Sequence, residues 1–265
     1  MTLPDASSHI STFHLRRRTP GMFVLVPCWR LSRSIRCQGQ LEAAAARILA
    51  ACPLVTSIQE QPFSIWYAWR EQDSQITLLN EPPSKTVRRT LRCSYIVPDF
   101  LVTMQNGQRR LLEIKPSSRL QKPLVQRKLT VARKFAQDYG QTFHVITERE
   151  LFTGPLLENV RLLGRFALLS SQPDCQAAIE AELKQQPLTL ANLVEHFASR
   201  EQPAQLKVAI LHLMATGRID FDPCADLLSD QTLLYPGGTL SWDPFDSVWA
   251  PSGSSKDGPS ASSAN

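Results

Sequence analysis

The chain has 265 residues, of which 43% are hydrophobic and 20% charged, with a formal net charge of +5 at pH 7. This length accommodates two modest domains, each with its own core. No apolar stretch is long enough to span a bilayer and the N-terminal residues lack a signal-peptide pattern, so the sequence predicts a cytoplasmic protein without a membrane partner.

The charge is unevenly divided along the chain. Residues 1–150 contain 22 Lys and Arg against 11 Asp and Glu, residues 151–222 contain 6 against 8, and residues 223–265 contain 1 against 5. This division predicts that only the basic first half contacts a polyanion. The six cysteines and five histidines lack zinc-ligand spacing, so free thiols are expected and a structural zinc site is not.

The N-terminal region is expected to begin with a basic arm and lead-in over residues 1–34, which contains Arg16-Arg17-Arg18. This arm is either a solvated tail or a segment that contacts phosphate, and the sequence leaves both alternatives open. A strong helix is predicted from Gly39 to Ala51. Glu42 lies in its first turn, where the helix dipole alone would explain a carboxylate.

Two segments rich in β-branched and aromatic residues come next. Leu54 to Glu60 and Phe63 to Trp69 are predicted to be strands, interrupted at Gln61-Pro62. The polar residues 71–90 are expected to form a connection that carries several cations.

The most informative motif is a predicted hairpin. Two apolar segments flank the turn dipeptide Asn106-Gly107, namely Val97-Pro98-Asp99-Phe100-Leu101-Val102 and Leu111-Leu112-Glu113-Ile114-Lys115. Glu113 and Lys115 are two residues apart and project from the same face of their strand. Two carboxylates beside one ammonium supply what metal-assisted phosphodiester hydrolysis requires, which predicts a nuclease site. The alternative is an ordinary hairpin whose polar residues face water.

The chemistry makes a demand on the hairpin loop. A two-residue loop of Asn106 and Gly107 would place Asp99 opposite Ile114, and the two carboxylates would then lie on opposite faces. A three-residue loop that starts at Gln105, with Gly107 in the left-handed conformation, places Asp99 opposite Glu113. The proposed chemistry therefore favours the three-residue loop.

The rest of the first half is predicted to contain a helix from Pro123 to Tyr139 and a last strand from Thr142 to Thr147. This order predicts a mixed α/β domain. The second half is predicted to be mainly helical and to have the element order of a winged helix-turn-helix, with the following helical segments: Leu156–Leu169, Cys175–Lys184, 189–197 and Gln202–Thr216. The low-complexity residues 250–265 are expected to be a disordered tail.

Three segments carry a resemblance to a known family: Gln40-Leu41-Glu42 at the start of the Ala-rich helix, Gln59-Glu60-Gln61-Pro62-Phe63, and Pro98-Asp99-Phe100-Leu101-Val102 with Glu113-Ile114-Lys115-Pro116. Together they resemble the TnsA endonuclease subunit of heteromeric, Tn7-like transposases, within the PD-(D/E)xK superfamily. The resemblance covers about residues 35–150.

This resemblance implies a restriction-endonuclease-like catalytic domain over residues 35–150, followed by a winged-helix-like domain over residues 151–235. It implies that Glu42, Asp99 and Glu113 bind Mg²⁺, for which Mn²⁺ is expected to substitute, and that Lys115 is the catalytic lysine. Glu60 is a further candidate. In such a core the first helix delivers its acid to the ends of the hairpin strands, which favours the ligand role of Glu42 over the dipole role.

The implied function is Mg²⁺-dependent hydrolysis of double-stranded DNA at the 5′ ends of a transposon, in the bacterial cytoplasm at the nucleoid. The implied partners are a separate DDE-type transposase and an AAA+ regulator of transposition, the latter bound by the C-terminal domain. Two alternatives stay open: a stand-alone restriction or repair nuclease with the same core, and an inactive DNA-binding or assembly factor.

Overall fold

A computed structural model describes residues 23–70, 75–169, 173–243 and 245 of the chain. The basic arm predicted before residue 23 and the disordered tail predicted over residues 250–265 lie outside this description. Within it, no helix has both the length and the apolar character needed to cross a membrane. All six cysteines are free thiols, as predicted.

The first part of the described chain alternates strands and helices. In order, its elements are β1 (Phe23–Cys28), β2 (Arg33–Gln38), α1 (Gln40–Ala51), β3 (Val55–Glu60), β4 (Ile65–Trp69), β5 (Ile76–Leu79), α2 (Lys85–Thr90), β6 (Arg92–Ile96), β7 (Phe100–Met104), β8 (Arg109–Ile114), α3 (Pro123–Asp138), β9 (Thr142–Ile146) and α4 (Glu148–Leu151).

A four-stranded mixed sheet in the order β3-β7-β8-β9 forms the centre of this part. β8 and β9 are parallel and the other neighbours are antiparallel. Alternate side chains of β7 and β8 point to opposite faces. Phe100 and Leu112 pack in the cluster that includes α1, whereas Leu101 and Leu111 pack in the cluster that includes α3 and β4. The predicted mixed α/β class is therefore confirmed, with a helix on each face of the sheet.

Helix α1 packs closely because its buried face is built from small residues. Its four consecutive alanines, Ala43 to Ala46, are fully buried. Gly39 precedes the helix with φ of 112°, a conformation that residues with a Cβ rarely adopt. Cys52 ends the helix, as the sequence predicted.

In the first part of the chain, the structure differs from the sequence prediction in two segments. Residues 23–38, expected to belong largely to a basic lead-in, form the antiparallel β1–β2 hairpin, which packs on α1. The expected connection over residues 71–90 contains β5 and α2, and a second sheet in the order β5-β4-β6 follows from it. Ser84 starts α2 because its side chain accepts a hydrogen bond from the Val87 N–H, a cap within an otherwise polar segment.

The second part of the chain is mainly helical, as predicted. Its elements are α5 (Leu156–Leu163), α6 (Pro173–Leu183), β10 (Leu188–Thr189), α7 (Leu190–Phe197), α8 (Pro203–Ala215), β11 (Ile219–Asp220) and β12 (Leu233–Pro236). The three strands form a small antiparallel sheet in the order β10-β12-β11. Leu193 and Leu206 lie at the centre of its separate hydrophobic cluster.

The two parts are joined by more than the chain connection. Helix α5 packs on α1, with Leu156 and Val160 in the same cluster as the first part. After β12 the chain returns to the first part, where Phe245 is fully buried in that cluster. Arg110 of β8 forms a salt bridge of 3.0 Å with Asp243. The first and second parts of the chain therefore share a packed boundary.

Candidate active site

The β7–β8 hairpin determines where the acids predicted from the sequence lie. Its register pairs Phe100 with Leu112 and Thr103 with Arg109, which places Asp99 opposite Glu113 at the end of the hairpin. The loop holds three residues, and Gly107 has a φ of 79°. The predicted three-residue loop and its register are confirmed.

Lys115 lies between these two carboxylates. Its Nζ is 2.7 Å from Glu113 Oε1 and 3.6 Å from Asp99 Oδ2. The backbone continues the sheet at this point, because the Lys115 N–H donates to the Ile146 carbonyl of the parallel strand β9. The side chain of Lys115 remains 29% exposed, so the ammonium is the part of the cluster that a substrate can reach.

Backbone geometry fixes Asp99 before the start of β7. Its Oδ2 accepts a hydrogen bond of 2.6 Å from the Ile114 N–H. Asp99 and Glu113 are only 9% and 4% exposed. Burial of a carboxylate costs free energy unless charge or hydrogen bonds compensate it, so these acids depend on Lys115 and on the backbone donor.

The protonation of the cluster follows from its burial and its excess of acids. Burial, followed by repulsion from Asp99, raises the pKa of Glu113 to about 8. Burial and Asp99 likewise raise the pKa of Glu42 to about 8. Burial also raises the pKa of Asp99, against the opposing effects of Lys115 and the Ile114 N–H.

The pKa of Lys115 is also raised, but for a different reason. Burial acts to lower its pKa, but attraction by Asp99 and Glu113 outweighs burial and raises the pKa above its ordinary value. The lysine therefore stays protonated. A protonated lysine acts as a fixed positive charge rather than as a general base.

Glu42 has two features that bear on its two predicted roles. Its Oε2 accepts a hydrogen bond of 2.6 Å from the backbone N–H of Gln38, just before the start of α1. This bond satisfies a donor near the helix start, which agrees with a structural role. Its pKa also depends on the charges of Asp99, Lys115 and Glu113, so the carboxyl lies within electrostatic reach of the cluster.

Glu60, the further candidate, is engaged elsewhere. Arg33 of β2 forms a bidentate pair with it, with contacts of 2.8 and 3.0 Å. This pair connects the β1–β2 hairpin to the edge of the central sheet. Glu60 therefore has a structural partner, and no contact with Lys115 is among those described.

The donor set fits a hard divalent cation in its chemistry. Three carboxyl groups share one ammonium, and the Oε2 of Glu113 is buried without a hydrogen-bond partner among the described residues. Carboxylate oxygens are the ligands that Mg²⁺ prefers. In the described arrangement, however, no group of three or more His, Cys, Asp or Glu side chains is close enough to hold a metal ion. The Lys115 ammonium and the Gln38 N–H engage the acids instead.

Sequence reasoning missed several groups that shape this site. The Gln38 and Ile114 N–H groups hold two of the acids, and backbone donors leave no trace in residue identity. Lys128 of α3 is close enough to lower the pKa of Glu113. Its position on the basic helix was a usable signal, although its direction toward the acids required the packing of α3 on the sheet.

The fold and the cluster together define a class of protein. A mixed sheet between two helices, with Asp99 and Glu113 on adjacent strands and Lys115 between them, fits the core of a restriction-endonuclease-like nuclease.

The comparison with protein families names the family of this domain. Residues 52–148 match the model described as TnsA-like endonuclease N terminal, so this part of the chain is similar to a TnsA-like endonuclease domain. The match contains Asp99, Glu113 and Lys115, but it begins after α1 and therefore omits Glu42. A comparison with curated proteins found no match.

Proposed function

We propose that the chain is a Mg²⁺-dependent DNA endonuclease that uses Asp99, Glu113 and Lys115 as its active site. The observation that carries this proposal is the placement of Lys115 Nζ 2.7 Å from Glu113 and 3.6 Å from Asp99, at the adjoining ends of two paired strands. Mn²⁺ is expected to substitute for Mg²⁺, because both accept oxygen ligands.

Each residue has a distinct role in this proposal. Asp99 and Glu113 would bind the cation, with Glu42 as a third carboxylate. A bound Mg²⁺ supplies Lewis-acid polarisation of the phosphate and a more acidic water. Lys115 attracts the scissile phosphate and stabilises the charge that develops on it, since the raised pKa of its ammonium keeps it charged.

The family of the domain supports a role in transposition. We propose that the chain hydrolyses DNA at the 5′ ends of a transposon in the bacterial cytoplasm, together with a separate DDE-type transposase. Residues 1–150 contain 22 Lys and Arg against 11 Asp and Glu, and this positive balance agrees with binding to duplex DNA.

The proposed partner of the C-terminal part is an AAA+ regulator. The order of helices and strands after residue 173 agrees with a winged-helix-like domain. The cations that such a domain would use on DNA are paired with acids here: Lys207 lies 2.8 Å from Asp230, and Arg218 lies 2.6 Å from Glu180. Together with the acidic balance of residues 151–222, this favours a protein partner over DNA.

The function is tested with the purified full-length chain, Mg²⁺ and DNA that carries transposon ends. We expect little cleavage by the chain alone and cleavage at the 5′ ends once the transposase and the AAA+ protein are added. Vigorous cleavage without partners would instead identify a stand-alone restriction or repair nuclease. Absence of cleavage in every combination, with DNA binding retained, would identify an inactive assembly factor.

The division of labour is tested by charge removal in the full-length chain. Arg133→Gln on α3 is expected to weaken duplex binding. The slope of log affinity against log salt concentration should become shallower by about one, because one phosphate contact is lost. Lys207→Gln on α8 is expected to leave duplex binding unchanged, because Asp230 already neutralises that lysine. A larger loss from Lys207→Gln than from Arg133→Gln would assign the DNA contact to the C-terminal part.

A further inference from the structure

A groove of about 590 Å³ lies beside the second sheet, away from the carboxylate cluster. Trp66, Trp69 and Tyr95 from β4 and β6 line it, together with Arg88 from α2 and Arg92 from β6. None of the described residues that line it is acidic. The groove therefore combines three aromatic side chains with two cations.

Two of these aromatic side chains, Trp66 and Tyr95, lie outside the hydrophobic clusters, whereas Trp69 packs against the cluster that includes α3. Ile65 and Tyr67 are buried in the cluster with α3, so the alternation along β4 directs Trp66 to the opposite, outer face. Trp66 is paired with Tyr95 across the sheet, and their ring centroids are 4.7 Å apart at an interplanar angle of 43°. Both rings stay partly exposed. A pair of partly exposed aromatic rings beside cations is suited to stacking with the bases of a nucleic acid.

The cations of the groove are held in place by the fold. The Nε of Arg88 donates a hydrogen bond of 3.1 Å to the Pro83 carbonyl, which orients the guanidinium at the end of α2. Arg88 and Arg92 are both exposed. Lys85 and Arg89 on the same short helix add to the positive charge of this surface. A polyanion is the ligand that this charge would attract.

The first turns of α3 connect the groove to the carboxylate cluster. The Arg127 guanidinium lies 4.6 Å from the ring centre of Trp69, which lines the groove. The next residue, Lys128, acts electrostatically on Glu113. One strand of nucleic acid that leaves the cluster could thus follow neighbouring cations into the groove.

We propose that this groove binds unpaired nucleotides of the DNA strand next to the cleavage position, by stacking bases on Trp66 and Tyr95 and by attracting phosphates to Arg88 and Arg92. Aromatic platforms bordered by cations are how proteins bind single-stranded nucleic acids without sequence preference. The volume of about 590 Å³ suits one or two nucleotides, and stacking on the rings requires unpaired bases, so the groove would act on a frayed or displaced strand. The assignment rests on the proposed endonuclease function.

The test measures binding rather than cleavage, so its failure is distinguishable from failure of the nuclease proposal. Fluorescence anisotropy follows a labelled oligothymidylate, an abasic oligonucleotide of the same length and a blunt duplex, each added to the full-length chain with EDTA. We expect the oligothymidylate to bind more tightly than the abasic strand by about tenfold, the effect of stacking about one base. Duplex binding is expected to depend on other surfaces of the basic half.

Variants assign the effect to the groove. Trp66→Leu with Tyr95→Leu is expected to abolish the preference for bases over the abasic strand, and Arg88→Gln is expected to weaken both single strands equally. Phe152→Leu and Arg200→Gln, which change exposed residues elsewhere, are the matched controls and are expected to have no effect. Equal binding of abasic and thymidine strands by the parent chain would overturn the proposal, as would a preference that survives the double variant or is lost in the controls.

Discussion

At the scale of single residues, the site is governed by an excess of acids over bases. Asp99, Glu113 and Glu42 lie near a single ammonium, that of Lys115. Burial raises the pKa of each carboxyl group, and the attraction between these acids and the ammonium raises the pKa of Lys115. A divalent cation would relieve this repulsion, which is a physical reason for the acids to bind one. Without a cation, the cluster is a source of instability that depends on pH.

That dependence has a definite sign. The pKa of Glu113 is about 8 in the folded chain, whereas its ordinary value is 4.5. At a pH between these two values, the unfolded chain has released the proton of Glu113 and the folded chain still holds it. The metal-free chain should therefore lose stability as pH rises from about 5 to about 8, by at least about 1 kcal/mol. Urea denaturation at several pH values measures this slope.

The matched variants for this slope are Glu113→Gln and Glu158→Gln. Glu113→Gln should reduce the slope because one titrating carboxyl is gone, while Glu42, whose pKa is also raised to about 8, still contributes. Glu158→Gln should preserve it, since that carboxyl is exposed and remote. An unchanged slope in Glu113→Gln would show that Glu113 titrates normally.

A glutamine and an alanine variant of Glu42 distinguish its two proposed roles, helix capping and cation binding. Glu42→Gln retains an oxygen that can accept the Gln38 N–H, so its stability should change little, whereas Glu42→Ala should lose about 1 kcal/mol. If Glu42 also binds the cation, both variants lose Mg²⁺-dependent cleavage. Full cleavage by Glu42→Gln would leave this residue with the helix-capping role alone.

Residue identity predicted part of this site. The alternation of side chains along a strand, together with the chemistry of Glu113 and Lys115, predicted the three-residue loop. It also predicted that Asp99 lies opposite Glu113, as the structure has it. The donors that hold the acids, Gln38 N–H and Ile114 N–H, belong to the backbone and depend on how α1 and β8 are placed. Such contacts follow from tertiary packing and have no counterpart in local sequence.

At the scale of elements, strong periodic segments were predictable and short ones were not. The Ala-rich α1 starts after Gly39 and the basic α3 starts with Pro123, and each helix has a buried apolar face. The β1–β2 hairpin was missed because Pro27 and the three arginines of residues 23–38 are typical of an extended basic segment. Its stability comes from packing Ile35 and Val26 on α1, a tertiary effect.

The loop of the β7–β8 hairpin can be tested through Gly107. Its φ is 79°, and a Cβ built there would meet no atom within 4 Å, so only backbone strain opposes substitution. Gly107→Val should destabilise the chain by about 1–2 kcal/mol. Gly107→Asn should cost less because asparagine tolerates this conformation. Urea denaturation of both variants provides the comparison, and equal costs would contradict the left-handed loop.

At the scale of the whole molecule, the C-terminal segment stabilises the catalytic half. Phe245 is buried in the cluster that contains α1, and Asp243 pairs with Arg110 of β8. The sequence predicted two halves from charge and periodicity. The return of the chain after β12 was not predictable, because a short segment with two aromatic residues and acids has no period of its own.

This return predicts a remote effect on stability. Asp243→Ala should lower the free energy of unfolding by about 3 kcal/mol, since it leaves Arg110 buried beside the hydrophobic cluster without its acid. Asp230→Asn removes an exposed partner of Lys207 and should cost less than about 0.5 kcal/mol. Equal effects in thermal denaturation would mean that the segment contributes little to the catalytic half.

The central claim is that the cluster around Lys115 cleaves DNA, and the most direct measurement is Mg²⁺-dependent strand cleavage by the full-length chain with the proposed transposase and AAA+ protein. Lys115→Met should reduce the cleavage rate by at least about 100-fold at saturating Mg²⁺, because the charge that stabilises the scissile phosphate is lost. Glu158→Gln should cleave like the parent chain. Cleavage by a folded Lys115→Met chain at the parent rate would contradict the account.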